Sequence, residues 1–179
     1  LNLTDETLVI FSSDNGPFGG VGDASPLRAD KGHLYEGGIR VPLIIRWPGK
    51  IKPKTLDETP VILTDLYPTI LEVSGIDSNV NYPVDGKNLL PLLKKRKKLN
   101  NRALFWHYPN FAFHRDNRLG SAIREGDYKL LHFYDNDSIE LYNLRKDISE
   151  TNDLSRELPQ LALKLKNKLR NGKVFPKKK

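Results

Sequence analysis

Cysteine and methionine are both absent from the 179 residues of this chain. Without cysteine, the protein has neither a disulfide framework nor a thiolate metal site. The length is sufficient for one good hydrophobic core, or for one core and a smaller second one. No basic segment followed by a long apolar run occurs at the beginning, so we expect neither a signal peptide nor a membrane-spanning segment within these residues.

Positive charge exceeds negative charge in this sequence, which has a formal net charge of +7. Much of the excess lies in two lysine-rich runs, at residues 94–98 and 177–179, with no interleaved aromatic residue. Proteins that bind nucleic acids combine basic side chains with rings that stack on bases, so we expect no nucleic-acid partner. A basic rim that attracts a sulfated polysaccharide is a better use of the charge, although such runs commonly serve solubility.

The most informative stretch begins with the apolar residues 7–11 and continues as Ser-Ser-Asp-Asn-Gly at 12–16. A short apolar run that breaks into Asp-Asn-Gly predicts a buried strand ending in a turn. In open α/β sheets, ligands bind outside the carboxyl ends of strands, and Asp14 and Asn15 lie at such an end. Their oxygens are hard donors with no imidazole or thiolate beside them, which favours Ca²⁺ or Mg²⁺ over Zn²⁺.

Asp14 and Asn15 do not define a metal site by themselves. Calcium takes roughly six to eight oxygen ligands, so at least two more carboxylates would have to come from elsewhere. The alternative interpretation is an ordinary tight turn, because Asp and Asn tolerate positive φ angles and Gly16 adopts them freely.

A second group of motifs follows the first. Lys31 lies in a loop that contains three glycines and Glu36, and an apolar strand is predicted at 41–47. In this order, the motifs resemble the carboxy-terminal half of the formylglycine-dependent sulfatases of the alkaline phosphatase superfamily. The resemblance covers most of the chain and rests on Phe-Ser-Ser-Asp-Asn-Gly at 11–16, Lys31, Tyr-Glu-Gly-Gly-Ile-Arg-Val-Pro at 35–42, Trp-Pro-Gly at 47–49, Asp-Leu-Tyr-Pro-Thr at 65–69, Ser-Ala-Ile-Arg at 121–124 and Leu-Tyr-Asn-Leu at 141–144.

The resemblance implies roles for three of these residues. Asp14 and Asn15 would supply two ligands of a single calcium ion, and Lys31 would contact the sulfate group and assist the leaving oxygen as a catalytic residue. The intact protein would hydrolyse a sulfate monoester of a small molecule or a polysaccharide. The same resemblance implies a periplasmic or secreted protein, or a lysosomal one in animals.

The nucleophile of that family is not found in this sequence. Formylglycine is formed from the Cys or Ser of a Cys/Ser-x-Pro-x-Arg motif, and the chain contains neither cysteine nor Ser-x-Pro-x-Arg. In the family, this motif and an Asp-Asp metal pair lie in the amino-terminal half. We therefore expect a sulfatase fragment that is inactive by itself and has an incomplete calcium site. Gly16, Gly37 and Gly38 are interpreted as residues that permit tight turns and close backbone packing, with no part in catalysis.

A predicted strand at 103–108 leads into an aromatic loop at 109–113. His107 is a candidate substrate-binding residue, because similar Trp-His-Tyr segments border the pocket in the family that the chain resembles. Rings beside His114 and Arg115 would suit a sugar platform, and a structural strand with a surface loop is the alternative for all three residues.

The remaining sequence predicts a scaffold. Strands are expected at 121–124, 128–134 and 139–143, followed by a lysine-rich helix with leucines at helical spacing. The predicted fold is α/β: the carboxy-terminal part of a mixed alkaline-phosphatase-like sheet at 1–98, followed at 99–179 by a small antiparallel sheet packed on a helix. Asp65 is interpreted as a helix-start anion, and His132 is assigned no role.

Three other interpretations remain. A phosphate or phosphonate ester hydrolase of the same superfamily is one, although its two-metal members use histidine ligands where Asn15 stands. An inactive carbohydrate- or calcium-binding module is the second, favoured by the missing nucleophile. A purely structural domain is the third, and Lys31 together with the Asp-Asn pair argues against it. The sequence leaves the substrate and the oligomeric state open.

Overall fold

The computed structural model describes residues 2–76, 84–94, 97–111 and 116–172. The chain divides into two compact units. Unit 1 consists of residues 1–14 and 42–101, and unit 2 of residues 15–41 and 102–179. The expected boundary after residue 98 is close to the second crossing between the units. Residues 15–41 pack with the carboxy-terminal part, however, and the division into 1–98 and 99–179 stays a prediction.

Unit 1 contains a two-stranded antiparallel sheet. Strand β1 covers Val9–Ser12 and pairs with β2, which covers Leu43–Arg46. The Ser12 hydroxyl continues the ladder by donating to the carbonyl of Pro42 at 3.0 Å. Both strands are shorter than expected, because Pro42 has no N–H to donate and limits β2.

The expectation that the first strand is buried was wrong. Val9 and Phe11 are 45% and 60% exposed, and Ile44 opposite Phe11 is 60% exposed. No described element of unit 1 covers this face of the two-stranded sheet. The apolar pattern identified the strand, but it carries no information on where the covering surface lies.

The helices of unit 1 are short. Helix α1, a single turn at Glu36–Ile39, belongs to unit 2. In unit 1, a 3₁₀ turn at Leu63–Asp65 leads directly into α2 at Leu66–Val73, and a later single turn, α3, covers Leu90–Leu93. Asp65 is fully buried, and its carboxylate accepts hydrogen bonds from the backbone amides of Ile62 and Lys87 at 2.9 and 2.8 Å. This residue therefore holds two chain segments together, which agrees with a structural rather than a catalytic interpretation.

Unit 2 is built on a four-stranded antiparallel meander in sequence order. The strands are β3 at Ala103–Tyr108, β4 at Gly120–Glu125, β5 at Tyr128–Phe133 and β6 at Ile139–Asn143. Turns at Gly126 and Asp137, both with positive φ, close the second and third hairpins. The expected small antiparallel sheet is confirmed, with boundaries within two residues of those predicted.

Opposite faces of this sheet pack against different parts of unit 2. One face covers helix α4 at Pro159–Asn171, where Leu165 and Leu169 are buried as the leucine spacing predicted. The other face packs against residues 29–35, with Leu34 and Tyr35 in the core. Alternation along a strand assigns each side chain to one of these two layers.

Candidate active site

Lys31 lies in a segment of unit 2 that we call the Lys31 loop, residues 28–38. The Gly37 amide donates to the Arg28 carbonyl at 2.8 Å, which joins the two ends of the loop. The end of the loop forms a single helical turn, α1, at Glu36–Ile39. The sequence predicted only a glycine-rich loop here. The structure adds the hydrogen bond that joins its two ends and the helical turn.

The Lys31 loop is bonded to the segment that begins at Asn15. The Gly16 amide donates to the Gly38 carbonyl at 2.9 Å, and the Lys31 amide donates to the Pro17 carbonyl at 2.9 Å. Asn15 is therefore one residue away from backbone hydrogen bonds to the loop that carries Lys31. Two of the residues singled out in the sequence are brought into one small substructure by these bonds.

Three glycines permit this close packing of backbones. A Cβ atom on Gly16 would lie 1.8 Å from the Gly37 carbonyl oxygen, and one on Gly37 would lie 2.1 Å from that of Ala29. A Cβ atom on Gly38 would lie 2.1 Å from the His33 carbonyl oxygen. The atoms that a side chain would meet at these positions belong to the backbone and cannot move aside easily. This supports the interpretation that the three glycines serve close backbone packing.

A buried ionic cluster lies under the end of the Lys31 loop. Lys129 is fully buried on β5, and its ammonium nitrogen lies 2.9 Å from Glu36 Oε1 and 2.9 Å from Glu150 Oε1. Glu36 is 2% exposed, and the guanidinium groups of Arg40 and Arg124 lie 3.5 and 3.9 Å from its Oε2. The buried ammonium of Lys129 is thus paired with two buried carboxylates, as buried charges require, and the partly exposed guanidinium groups add positive charge from the surface side.

Glu150 makes the most unusual contacts of this cluster. Its Oε2 accepts a hydrogen bond of 2.6 Å from the backbone amide of Glu36, whereas its Oε1 faces the Lys129 ammonium without a well-directed hydrogen bond from any described residue. Burial raises the pKa of Glu150, and the charge of Lys129 opposes that rise. The backbone of Glu150 has a φ of +52°, a conformation that costs a non-glycine residue about 1–2 kcal/mol.

Arg28, at the start of the Lys31 loop, is tied to the same region. Its Nη1 donates to the Glu150 carbonyl at 2.9 Å and to the Tyr142 hydroxyl at 2.8 Å. The guanidinium also stacks over the Tyr35 ring, 3.9 Å from the ring centroid. Glu140 accepts hydrogen bonds from the hydroxyls of Tyr35 and Tyr142 at 2.7 and 2.8 Å, and burial raises the pKa of both phenols, so they remain donors.

The predicted contact residues have accessible polar groups. The ammonium of Lys31 has no hydrogen bond or ion pair with any described residue, and the same is true of the exposed carboxylate of Asp14. Asn15 is half-buried. Asp14 belongs to unit 1, while Asn15 and Lys31 belong to unit 2, so the predicted approach of Asp14 to Lys31 stays a prediction.

The oxygens of Asp14 and Asn15 are donors of the kind that a hard cation prefers. Within the described ranges, no group of three or more His, Cys, Asp or Glu residues is placed to hold a metal ion. An exposed carboxylate next to an amide suits Ca²⁺ chemically, because both donors are oxygens. Any complete calcium shell would need ligands in addition to these two residues.

His107 lies in a different layer of unit 2. Alternation along β3 places it on the α4 face of the sheet, whereas its neighbours Trp106 and Tyr108 pack on the face that carries the Lys31 loop. Its Nδ1 is 2.9 Å from the Ser121 hydroxyl and 2.9 Å from the Tyr134 hydroxyl. The structure therefore does not bring His107 to Lys31 through any described contact, and its substrate role stays a prediction.

Some residues of this region were not recognised from the sequence, and two candidate residues are not among those that the structure describes. His114 and Arg115 lie outside the described residues. Glu36, Lys129 and Glu150 were missed as a group. One signal was available: Lys129 shares the core face of β5 with Leu131 and Phe133, and a buried lysine needs a buried anion.

The chain matches the carboxy-terminal part of a sulfatase. A family model described as N-sulphoglucosamine sulphohydrolase, C-terminal, matches residues 28–174. This is more than half of the chain, and the chain therefore belongs to the sulfatase family. The resemblance noted in the sequence motifs is confirmed.

Individual relatives agree with this assignment. A protein named sulfatase from Formosa agariphila is 42% identical over 183 residues, which cover 94% of this chain and 33% of the relative. Human arylsulfatase A is 40% identical over 139 residues, which cover 75% of this chain and 26% of the relative. The chain thus spans about a third or less of the length of these curated relatives.

Solved structures show the same fold. The complex of Ps i-CgsB with k-i-k-neocarrahexaose has a TM-score of 0.82 at 30% identity, covering 95% of this chain and 37% of that one. The complex of BT4656 with its substrate D-glucosamine-2-N,6-O-disulfate has a TM-score of 0.73 at 26% identity, covering 97% and 37%. These matches confirm the expected α/β class as a portion of the alkaline-phosphatase-like sulfatase fold.

A helix that crosses a membrane needs about 20 predominantly apolar residues. Over residues 2–76, 84–94, 97–111 and 116–172, no helix is both long enough and apolar enough to cross a bilayer.

Proposed function

We propose that this chain is the carboxy-terminal part of a formylglycine-dependent sulfatase that hydrolyses sulfate monoesters, with a sulfated glycan as the substrate class. The observation that carries the proposal is the Lys31 loop. It holds an ammonium that makes no hydrogen bond or ion pair with a described residue, and it is bonded to the segment that starts at Asn15, in a chain that belongs to the sulfatase family. The glycan class is supported by the ligands of two structural neighbours, k-i-k-neocarrahexaose in Ps i-CgsB and D-glucosamine-2-N,6-O-disulfate in BT4656.

In this proposal, Lys31 binds the sulfate group. An ammonium offers three donors and a compact positive charge, which suits the oxygens of a sulfuryl group. Charge on those oxygens and on the leaving oxygen increases during transfer, so a fixed cation at this position lowers the barrier to hydrolysis. Lys31 would also assist departure of the alcohol by donating a hydrogen bond to its oxygen.

Asp14 and Asn15 would hold one calcium ion together with ligands from outside this chain. The formylglycine hydrate supplies the nucleophilic oxygen and calcium supplies positive charge at the sulfuryl oxygens when both are present. Asp14 contributes a formal negative charge and Asn15 a neutral oxygen, which is the donor chemistry that a hard cation prefers. Neither residue takes part in proton transfer.

The test uses the enzyme that contains this chain, with 4-nitrophenyl sulfate as substrate. Lys31→Ala should lower kcat/KM by roughly 10²–10³-fold, the usual effect of removing one group that stabilises transition-state charge. The matched control is Lys164→Ala, which removes an exposed lysine on α4 and should leave kcat/KM unchanged. Equal activity of Lys31→Ala and the control would contradict the proposed role of Lys31.

A second assay separates sulfatase activity from the phosphatase alternative. The same enzyme should hydrolyse 4-nitrophenyl sulfate much faster than 4-nitrophenyl phosphate at equal concentration. A preference for the phosphate ester would favour a phosphohydrolase of the same superfamily, and turnover of neither ester would favour an inactive binding module.

A further inference from the structure

Both ends of the Lys31 loop converge on one residue outside it, Glu150. The start of the loop reaches Glu150 through Arg28, whose Nη1 donates to the Glu150 carbonyl. The end reaches it through the Glu36 amide, which donates to the Glu150 carboxylate. Glu150 therefore fixes the loop at two points, and it does so with its backbone at one point and its side chain at the other.

Lys129 sets the orientation of that side chain. The carboxylate of Glu150 has one oxygen against the Glu36 amide and the other 2.9 Å from the buried ammonium of Lys129. The same ammonium pairs with the Glu36 side chain at 2.9 Å. Glu36 is thereby held through both its backbone and its side chain, so rotation of either carboxylate would break a buried contact.

The connection continues from Glu36 to the residues assigned to substrate and metal. Gly37 follows Glu36 and bonds to Arg28, and Gly38 accepts the amide of Gly16, the residue after Asn15. These contacts are backbone bonds between tightly packed glycines, which leave little freedom for the loop to shift by itself. A displacement at Glu36 would therefore move the backbone on which Lys31 stands.

From these contacts we infer that Glu150, with Lys129, is a positioning residue for Lys31 and tunes sulfate ester hydrolysis without touching the substrate. The inference rests on the proposed function of Lys31. The left-handed backbone of Glu150 is consistent with it, because strained residues persist where the surrounding structure determines them. A reacting group displaced by about 1 Å loses roughly 10²-fold in rate, so the precision of this anchor affects catalysis.

Glu150→Gln is the appropriate variant. The side chains of glutamate and glutamine have nearly the same shape. The carboxylate has two accepting oxygens, whereas the glutamine amide has one accepting oxygen and one donating NH2 group. The variant therefore keeps the volume and the carbonyl bonded to Arg28, but it loses either the contact with the Glu36 amide or the one with Lys129. We expect kcat/KM for 4-nitrophenyl sulfate to fall by about tenfold or more, mainly in kcat.

A double-mutant cycle with Lys31→Ala, in the enzyme that contains this chain, tests whether Glu150 acts through Lys31. If it does, Glu150→Gln should have little further effect on kcat/KM once Lys31 is alanine. The same loss in both backgrounds would show that Glu150 acts on stability or on another group, and would overturn the inference. Full activity of Lys31→Ala would instead overturn the proposed function of Lys31.

Hydrogen exchange gives a readout that does not depend on turnover. Glu150→Gln should speed exchange of the Lys31 and Gly37 amides, while amides of α4 keep their wild-type rates. Leu165→Ala is the control, since it removes core packing on the opposite face of the sheet and should destabilise unit 2 without selective loss of protection in the loop. Unchanged loop exchange in Glu150→Gln would contradict the inference, whatever the kinetics.

Arg28→Ala provides a second route if Glu150→Gln does not fold. The Arg28 side chain is 40% exposed, so its removal leaves no large cavity, yet it breaks the bond to the Glu150 carbonyl at the start of the loop. The same epistasis with Lys31→Ala and the same faster exchange are expected. Additive losses in this cycle would also overturn the inference.

Discussion

The backbone amide of Gly16 donates to the carbonyl of Gly38 at 2.9 Å, which joins the segment after Asn15 to the end of the Lys31 loop. The two residues are far apart in sequence, and neither has a side chain that could be recognised as functional. Their contact is nevertheless what brings the candidate metal ligand and the candidate sulfate contact into the same part of unit 2.

Gly16→Ala should disrupt this junction. The new Cβ would lie 1.8 Å from the Gly37 carbonyl oxygen, so one of the two backbones must move. We expect the free energy of unfolding to fall by about 1–3 kcal/mol, as is usual for overpacking a tight contact. Urea unfolding followed by circular dichroism measures the change, and a midpoint equal to that of the wild type would contradict this account of the junction.

The regular parts of unit 2 could be predicted from local sequence patterns. Apolar residues that recur at every second position predicted the strands β3 to β6, and leucines at helical spacing predicted α4. Both patterns indicate which side of an element is buried. The same logic failed for Val9 and Phe11, which are apolar but exposed. A pattern reports a preference for burial, whereas the covering surface is a property of the whole structure.

The buried ionic cluster could be predicted only in part. Lys129 on the core face of β5 signals that an anion must be near, but the sequence offers many carboxylates. The choice of Glu36, 93 residues away, depends on how the Lys31 loop packs on the sheet. Pairings over such distances depend on tertiary structure. The sequence could therefore indicate single members of the cluster, but only the coordinates show which residues pair.

Lys129→Met should be strongly destabilising. The side chain of Lys129 is fully buried between two carboxylates, and its removal leaves Glu36 and Glu150 facing each other with less compensating charge. Breaking a buried ion pair by removing one partner typically costs about 3–5 kcal/mol. The loss should appear in the urea unfolding midpoint, and Lys164→Ala, an exposed lysine on α4, is the matched control. Equal midpoints for the two variants would contradict the role given to this cluster.

Glu150 should give the protein a characteristic dependence of stability on pH. Its pKa is raised above its ordinary value of 4.5, mainly by burial, so the folded protein retains this proton at pH values where the unfolded chain has lost it. The stability that comes from this group is full below the ordinary pKa and decreases as the pH rises through the raised one. Glu150→Gln lacks the titration. The unfolding free energy of the wild type minus that of the variant should therefore decrease from about pH 4.5 upward, and a difference that increases with pH would contradict the raised pKa.

This chain alone should not hydrolyse 4-nitrophenyl sulfate. It contains neither the cysteine nor the Ser-x-Pro-x-Arg sequence from which formylglycine is made, so the proposed nucleophile is missing. The measurement is release of 4-nitrophenol by the purified chain, with the enzyme that contains it as the positive control. Turnover that survives purification and disappears in Lys31→Ala would show that the chain carries a complete active site.

Calcium should bind the chain alone only weakly, because Asp14 and Asn15 provide two protein ligands and one formal negative charge. Calcium sites gain affinity from ligand number and charge, so with roughly two ligands we expect no specific binding below about 1 mM in calorimetry. The other acidic residues near these motifs are already engaged: Asp23 accepts the Ser25 amide at 2.8 Å, and Glu36 pairs with Lys129.

The thermal midpoint gives the complementary measurement, since a ligand stabilises a protein only when its concentration exceeds its Kd. Calcium should hardly change the midpoint of the chain alone. It should clearly raise the midpoint of the enzyme that contains the chain, and Asp14→Ala should abolish that rise. Tight binding by the chain alone would mean that its ligand set is complete, with Asp23, Asp30 or Glu36 released from present contacts to reach the ion, and the proposed sharing of the calcium site with residues outside this chain would then be wrong.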